Sequence, residues 1–316
     1  MKFEKAYCEE INRCIDPYEA RDLYFSNDSN YYMRKLTFLC PSEHCRVPLL
    51  QVAIYRKEKT KAKIHFRTKS LTNHIFSPKK CDYYYDVDQD FTNEVNAKKS
   101  NHKKKSVLPS EFLLIKPTQL MKSLRSVENT MNTNNNTINK VTRSKSIGST
   151  TKGVSNVKTH YFEHIIDCYE NNDPNTLKTQ TLTINGKEKS YYSFFKKCEY
   201  FSDEEGLIYW GEVTKLKKYG KNYRIRFKKK AWINEKGLEI TIYLNSDLIQ
   251  SYNKKNQLLE VLEKLTTFNG EIRCYFVGVY PNIKKISDKG NDFEAVSVKI
   301  ENLDHLVFRF DSVVEE

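Results

Sequence analysis

The sequence predicts a mixed α+β protein with a small zinc-binding module, a basic linker and a C-terminal five-stranded β-barrel that carries one helix. Three observations lead to this fold class. Cysteines and histidines gather between Cys40 and Cys81, a polar and basic segment follows, and β-prone runs fill the last third of the chain. The expected domains are a zinc module at 1–96, a linker at 97–158, a helix with a hairpin at 159–206 and a barrel at 207–316.

The first element of the chain is predicted to be a helix. Phe3, Tyr7, Ile11 and Cys14 recur at near-helical spacing until Pro17 interrupts the pattern. Free cysteine behaves as a small apolar residue, so the cysteine on this face is expected to pack rather than to bind.

The region that follows has the composition of a zinc site. Cys40 and Cys45 form a C-x4-C pair, Pro41 stiffens the turn between them, and His74 and Cys81 lie downstream. Zn²⁺ takes four Cys or His ligands in a tetrahedron, and a short cysteine knuckle with a distant second pair supplies them. We therefore predict a Cys3His site, and a structural Zn²⁺, because the protein fills all four positions.

His65 is the reserve ligand for the same site. It lies between apolar residues on a predicted strand, where a histidine is more often packed than metal-bound. Two alternatives to a metal site stay open from the residues alone, namely unrelated thiols and a disulfide pair.

The order of an aromatic-flanked cysteine pair, then His65-Phe66, then a trailing histidine and cysteine resembles the N-terminal zinc module of bacterial competence protein CoiA-like proteins. The resemblance covers about residues 1–90. In that family the module precedes a nuclease-like domain, which implies a role in DNA processing, mobile elements or defence. The cysteine spacing here is wider than the usual C-x2-C, and no carboxylate–carboxylate–lysine set follows on consecutive strands, so no nuclease residues are carried over.

The net charge of +13 is concentrated in one segment. Between Ala97 and Lys158, thirteen Lys or Arg stand against Glu111 and Glu128, a local excess of +11. Such a polar segment buries too little apolar surface to offset its chain entropy, so it is predicted to be a largely disordered basic linker that can hold phosphates. Within it, Ser110 and Glu111 are expected to open one helical turn.

Order is predicted to resume at Thr159, the expected N-cap of an amphipathic helix. Phe162, Ile165 and Ile166 form its apolar face. The Asn185-Gly186 pair between two β-prone runs then indicates a hairpin.

The last part of the chain is predicted to contain three strands, a helix and two more strands. This order resembles the OB-fold, a small Greek-key barrel whose strands and loops bind oligonucleotides. The predicted elements are strands at 207–216, 222–229 and 238–244, a helix at 256–268, and strands at 271–280 and 293–300.

Alternation along these strands predicts a nucleic-acid-binding face. In the second strand an apolar row stands opposite a basic row, and in the fourth Arg273 and Tyr275 are expected to face outward. Cationic side chains beside an exposed tyrosine are typical of surfaces that bind single strands. Tyr243 and Trp210 are left as either stacking platforms or core. The predicted binding residues are Lys215, Lys217, Lys218, Tyr219, Lys221, Arg224, Arg226, Lys228, Arg273 and Tyr275.

The sequence favours a non-catalytic role, because it lacks a phosphate-binding glycine loop, a serine elbow and a His-Glu-x-x-His motif. We predict a zinc-stabilised protein that binds single-stranded DNA or RNA. One alternative is a protein-interaction adaptor whose barrel and zinc module each bind a protein partner, and another is a metal-dependent nuclease that uses Asp86, Asp88 and Asp90. A protein partner is also expected to bind through the zinc module or the linker. Charged N-terminal residues, scattered cysteines and the lack of a long apolar run favour the cytoplasm and no membrane partner.

Overall fold

The computed structural model describes residues 2–57, 63–68, 81, 108–115, 157–200, 206–233, 235–279, 281–288 and 291–310. The fold is mixed α+β and mainly built from sheets, which confirms the predicted class at that level. The chain divides into two compact units, one of Met1–Ser106 with Phe195–Glu316 and one of Val107–Phe194. His74, the acidic run at 86–90 and most of the predicted linker lie outside the described residues.

The N-terminal part of the first unit is made of very short strands and one helix. Its two antiparallel sheets have the orders β3-β2-β4 and β1-β6-β5. The elements are β1 (Lys2–Phe3), β2 (Ala6–Cys8), β3 (Arg13–Ile15), α1 (Pro17–Phe25), β4 (Phe38–Leu39), β5 (Leu50–Val52) and β6 (His65–Arg67).

The helix predicted for the first residues is wrong, because strands occupy them and the helix begins where it was expected to end. Asn12 adopts a left-handed φ of 55° in the turn between β2 and β3. Pro17 suits the first position of α1, where no N–H partner is needed, and the Asp16 carboxylate accepts hydrogen bonds from the N–H groups of Tyr18 and Glu19. Pro17, which was predicted to end a helix, is therefore the first residue of one.

The second unit is a four-stranded sheet, in the order β10-β9-β7-β8, with three helices. The helix around Ile165 is confirmed, but its N-cap is Tyr161 and the predicted N-cap, Thr159, lies in a strand. The hairpin around Asn185-Gly186 is also confirmed, and both of its turn residues have positive φ. The helical turn predicted at Ser110 is wrong, since Glu111 and Phe112 form a strand beside β9. The elements are β7 (Glu111–Phe112), β8 (Lys158–Thr159), α2 (Phe162–Glu170), α3 (Pro174–Thr179), β9 (Thr181–Ile184), β10 (Lys187–Ser190) and α4 (Tyr191–Phe194).

The C-terminal part of the first unit is an eight-stranded sheet. Its order is β16-β17-β14-β13-β12-β15-β18, and β11 pairs with β12 off this path. The elements are β11 (Phe195–Lys197), a 3-10 turn (Cys198–Tyr200), β12 (Ile208–Tyr219), β13 (Asn222–Ile233), β14 (Lys236–Leu244), α5 (Ser246–Gln250), α6 (Lys255–Thr267), β15 (Ile272–Val277), β16 (Pro281–Asp288), β17 (Asn291–Val298), a 3-10 turn (Leu303–His305) and β18 (Leu306–Phe310).

The six predicted elements occur in the predicted order as β12, β13, β14, α6, β15 and β17, but the structure adds β11, α5, β16 and β18, and closure into a barrel is not seen among the described residues. The end strands β16 and β18 form no pair with each other in the part of the chain that the structure describes. All neighbours in the main order are antiparallel except β14 and β17, which are parallel. Gly211 of β12 has no room for a side chain, because a Cβ there would lie 2.5 Å from Cys198 Sγ and 2.8 Å from Phe227 Cδ1.

The N-terminal strands and the C-terminal sheet meet at the start of α6. Lys254, at the N-cap of this helix, places its Nζ 2.9 Å from Asp22 Oδ1 and 2.5 Å from Asp304 Oδ1, and its side chain is only 16% exposed. Asn27 donates its backbone N–H to the carbonyl oxygen of Asn253 at 2.7 Å. The two parts therefore form one unit through polar contacts that span most of the chain. Among the described helices, none is both long and apolar enough to cross a membrane.

Candidate metal centre and exposed basic face

The turn from Cys40 to Val47 presents two cysteine side chains at its ends. The Cys40 N–H donates to the carbonyl oxygen of Val47 at 2.8 Å, and the Cys45 N–H donates to that of Ser42 at 3.1 Å. Arg46, with a left-handed φ of 49°, donates from its guanidinium to the carbonyl oxygen of Cys40 at 3.1 Å. The knuckle predicted from the C-x4-C spacing is thus a closed, hydrogen-bonded turn.

Cys81 joins the two knuckle cysteines from a distance in sequence. All three side chains are buried, and their sulfurs lie within 4.8 Å of one another, with Cys40 Sγ 3.6 Å from Cys81 Sγ. A disulfide needs a separation of about 2.05 Å, so the predicted disulfide alternative does not apply. Zn–S bonds of about 2.3 Å place the sulfurs of a tetrahedral site about 3.8 Å apart, and the observed cluster fits that geometry. The cluster can therefore hold a metal ion.

The electrostatics of the cluster point the same way. Burial raises the pKa of the Cys40 thiol well above its usual value, and the neighbouring Cys81 and Cys45 raise it further, although a hydrogen bond from the Ser42 N–H opposes the shift. Three buried thiolates are unfavourable together unless a cation compensates their charge, and a bound metal does so. Without a cation Cys40 therefore favours its protonated form, and a bound metal ion would favour the thiolate.

Of the two histidines predicted as zinc ligands, the structure describes only His65. His74 lies outside the described residues. His65 lies on β6, where its Nδ1 is 2.8 Å from the carbonyl oxygen of Lys63 and burial lowers its pKa. In the described part of the chain, no histidine joins the three sulfurs.

The exposed face of the large sheet carries the predicted basic row. Lys217 pairs with Arg224, and Arg224 pairs with Tyr243, so these three side chains share one face across β12, β13 and β14. Lys215 and Arg226 form the neighbouring cross-strand pair on the same face. Tyr243 is 49% exposed, which resolves its predicted ambiguity in favour of the surface.

Several predicted binding residues are engaged with acidic side chains. Lys218 and the Tyr223 hydroxyl contact Glu263 of α6, and these hydrogen bonds lower the pKa of Glu263. The other ion pairs are Arg226–Glu239, Lys228–Glu212 and Arg273–Glu271. Lys215, Lys217 and Lys221 are exposed and form no ion pair within the described ranges, and Tyr219 is 40% exposed. Fewer residues than predicted therefore offer a positive charge that is not already paired with a carboxylate.

The outward orientation predicted for Tyr275 is wrong. Its side chain is 1% exposed, stacks on Trp210 at 6.0 Å and meets Phe195 edge-on at 6.4 Å. Strand β15 lies between β12 and β18, and Phe195 belongs to β11, so extra strands cover a row that alternation left open. Trp210 is half-buried in the same contact rather than a free platform.

Sequence reasoning missed Trp232, which lies on β13 and is 74% exposed. The alternation of buried and exposed side chains along this strand could have predicted its exposure, because Trp232 directly follows the buried Ala231.

No family model matches the chain, and no curated protein does. Among solved structures, the chain is similar to an OBody, AM3L09, bound to hen egg-white lysozyme, with 16% identity over 34% of this chain and 83% of that chain and a TM-score of 0.20. A likeness of this size carries no argument about fold or function. The resemblances to CoiA-like proteins and to the OB-fold therefore remain predictions.

Proposed function

We propose that this protein binds single-stranded DNA or RNA through the exposed face of its large sheet, without catalysis. The observation that carries the proposal is the row of Lys217, Arg224 and Tyr243 across three adjacent strands. Neighbouring strands lie about 4.8 Å apart, so the row extends roughly 10 Å across the sheet. The cations suit phosphates and the tyrosine ring suits stacking on a base.

The strand order supports an OB-like interpretation of this sheet. Strands β12, β13 and β14 form an antiparallel group, α6 follows, and the next strands return to opposite sides of the group, β15 beside β12 and β17 beside β14. A strand set with a helix between its third and fourth members is the arrangement of the OB-fold, whose central strands bind oligonucleotides. We propose that the large sheet has the strand arrangement of an OB-fold but stays open instead of closing into a barrel.

The cysteine cluster is proposed to hold a structural Zn²⁺, with His74 as the fourth ligand. The zinc would organise the N-terminal strands and supply no chemistry, because four protein ligands leave no position for water. We expect one zinc per chain in the purified protein, measured by elemental analysis. Cys40→Ser is expected to abolish zinc binding, and His74→Ala to weaken it, whereas Cys14→Ser, at an exposed cysteine outside the cluster, should retain full occupancy. A metal-free wild type would contradict the assignment.

Binding is tested with the full chain and labelled single-stranded DNA, single-stranded RNA and duplex, by fluorescence anisotropy across a salt series. The test variant is Lys217→Ala/Arg224→Ala/Tyr243→Ala. Loss of two phosphate contacts should reduce the salt slope by roughly 1.4, and loss of one stacked ring, worth about 1–3 kcal/mol, should weaken binding by roughly a further 5- to 150-fold.

The matched control is Lys178→Ala/Lys187→Ala/Tyr192→Ala, which removes two cations and an exposed tyrosine from the second unit. It should bind like the wild type. No binding at low salt, or equal losses in both variants, would overturn the proposal and favour the protein-adaptor alternative.

A further inference from the structure

The N-terminal part of the first unit contains a cleft that no sequence motif predicted. It has a volume of about 520 Å³ and is lined by residues of α1, β5, β6 and the turns beside them. Among the described residues, its lining includes three cations, Lys35, Arg56 and Arg67, two tyrosines, Tyr24 and Tyr55, and no acidic side chain. Volumes between about 300 and 1,000 Å³ are typical of small-ligand sites.

The three cations are available to a ligand. Lys35, Arg56 and Arg67 are all exposed, and none forms an ion pair with an acidic side chain in the described part of the chain. Three cations without a counter-charge around one concavity attract an anion, because their fields add where the low-dielectric walls converge.

A buried arginine fixes the wall that carries Arg56. The guanidinium of Arg21, 5% exposed, donates to the carbonyl oxygens of Ile54 at 2.9 Å and of Arg56 and Lys57. These carbonyl oxygens, which would repel an anion, are therefore already engaged. Ala53 turns the chain into this segment with a left-handed φ of 59°.

The opposite wall is also held in place. The Leu36 N–H donates to Tyr55 Oη at 2.9 Å, and Gln51 Nε2 donates to the carbonyl oxygen of Leu36 at 3.3 Å, so the segment with Lys35 is anchored on both sides. The rings of Tyr24 and Tyr55 lie 4.5 Å apart. Burial raises the pKa of Tyr55 to about 12, which keeps its hydroxyl protonated at neutral pH.

We propose that this cleft binds the phosphate group of a nucleotide, either free or at the end of a nucleic-acid strand. A guanidinium presents two parallel N–H donors that match two phosphate oxygens, and Lys35 adds a third charge. The half-buried Tyr55 ring, backed by the buried Tyr24, supplies an apolar surface for a base. The site is separate from the basic row of the sheet and does not depend on it.

The experiment uses calorimetric titration of the full, metal-loaded chain at low salt with adenosine 5′-monophosphate, inorganic phosphate and adenosine. Adenosine is expected to bind at least tenfold more weakly than its monophosphate. Arg56→Ala/Arg67→Ala should weaken nucleotide binding at least about tenfold, and Arg56→Lys/Arg67→Lys should give an intermediate loss, because lysine keeps the charge without the paired donors. Lys5→Ala/Arg34→Ala removes two exposed cations outside the cleft and should change binding less than twofold.

Two short oligonucleotides, with and without a 5′-phosphate, separate the two sources. Preference for the phosphorylated strand that disappears in Arg56→Ala/Arg67→Ala assigns the cleft to strand ends, and equal binding of both strands with retained nucleotide binding assigns it to free nucleotides. The variant Lys217→Ala/Arg224→Ala/Tyr243→Ala should leave nucleotide binding unchanged, which keeps the two surfaces distinguishable. Equal affinity for adenosine and its monophosphate, equal losses in Arg56→Ala/Arg67→Ala and Lys5→Ala/Arg34→Ala, or no binding of any phosphate-bearing probe would overturn the proposal.

Discussion

The cysteine region and the large sheet belong to one compact unit but are stabilised in different ways. The N-terminal strands have two or three residues each, whereas β12 and β13 have twelve. Long strands pair over many residues, whereas the short N-terminal strands pair over two or three, although Phe38 and Phe66 are buried between them. The N-terminal region adds polar links to this small core, namely the cysteine cluster, the buried Arg21 and the half-buried Lys254. The comparison shows that one unit can combine a self-supporting half with a cross-linked half.

Removal of the proposed zinc ion should produce the largest effect, confined to the cross-linked half. Structural zinc contributes about 10–16 kcal/mol of apparent binding free energy in zinc-finger peptides, more than short strands can replace. Under a chelator, amides around Cys40 and Cys45 are expected to lose protection in hydrogen exchange, while those of β13 keep it. Uniform loss over both halves, or no loss in either, would contradict the comparison.

Loss of the buried cation at the junction should have the next largest effect. Burial opposes the charge of Lys254, but Tyr252 and the carboxylates of Asp304 and Asp22 outweigh it and raise the pKa of this amine well above its usual value. Lys254→Met removes the cation from two half-buried carboxylates, and we expect a loss of about 2–3 kcal/mol in urea unfolding, below the cost of breaking a fully buried pair.

The control for this change neutralises the whole cluster. Lys254→Met/Asp22→Asn/Asp304→Asn should recover much of the lost stability, because no uncompensated charge stays buried. If the triple variant is as unstable as the single one, packing rather than charge holds the junction.

The smallest effect is expected inside the self-supporting half. Gly211→Ala forces a Cβ against Cys198 Sγ and Phe227 Cδ1, and overpacking of this kind costs about 1–3 kcal/mol. Gly237→Ala, in the neighbouring β14, meets nothing closer than 3.6 Å and should be neutral or slightly stabilising. Equal thermal shifts in the two variants would show that the close approach at β12 relaxes without cost.

Much of the large sheet could be predicted from the sequence, because alternation along β13 and the apolar face of α6 are local signals. The three cysteines were also readable, since a short knuckle with a distant partner is a spacing pattern. The burial of Tyr275 could not be predicted, because alternation divides the side chains of a strand into two rows but does not show which row later elements such as β18 cover. The cleft lined by Lys35 and Arg67 carries no motif either, because these residues come together only through the tertiary fold.

The division of the chain into units also bears on how the protein is synthesised. The chain leaves the first unit at Ser106 and returns to it at Phe195. Asp22 can therefore form its ion pair only after Lys254, 232 residues later, has been synthesised. At translation rates of about 5–20 residues per second, that delay is roughly 10 to 50 s. Cys81, however, follows Cys40 by only 41 residues, so the three thiols emerge from the ribosome within seconds of one another. If the cluster captures its proposed metal ion at this stage, the N-terminal region can be ordered before its C-terminal half is made.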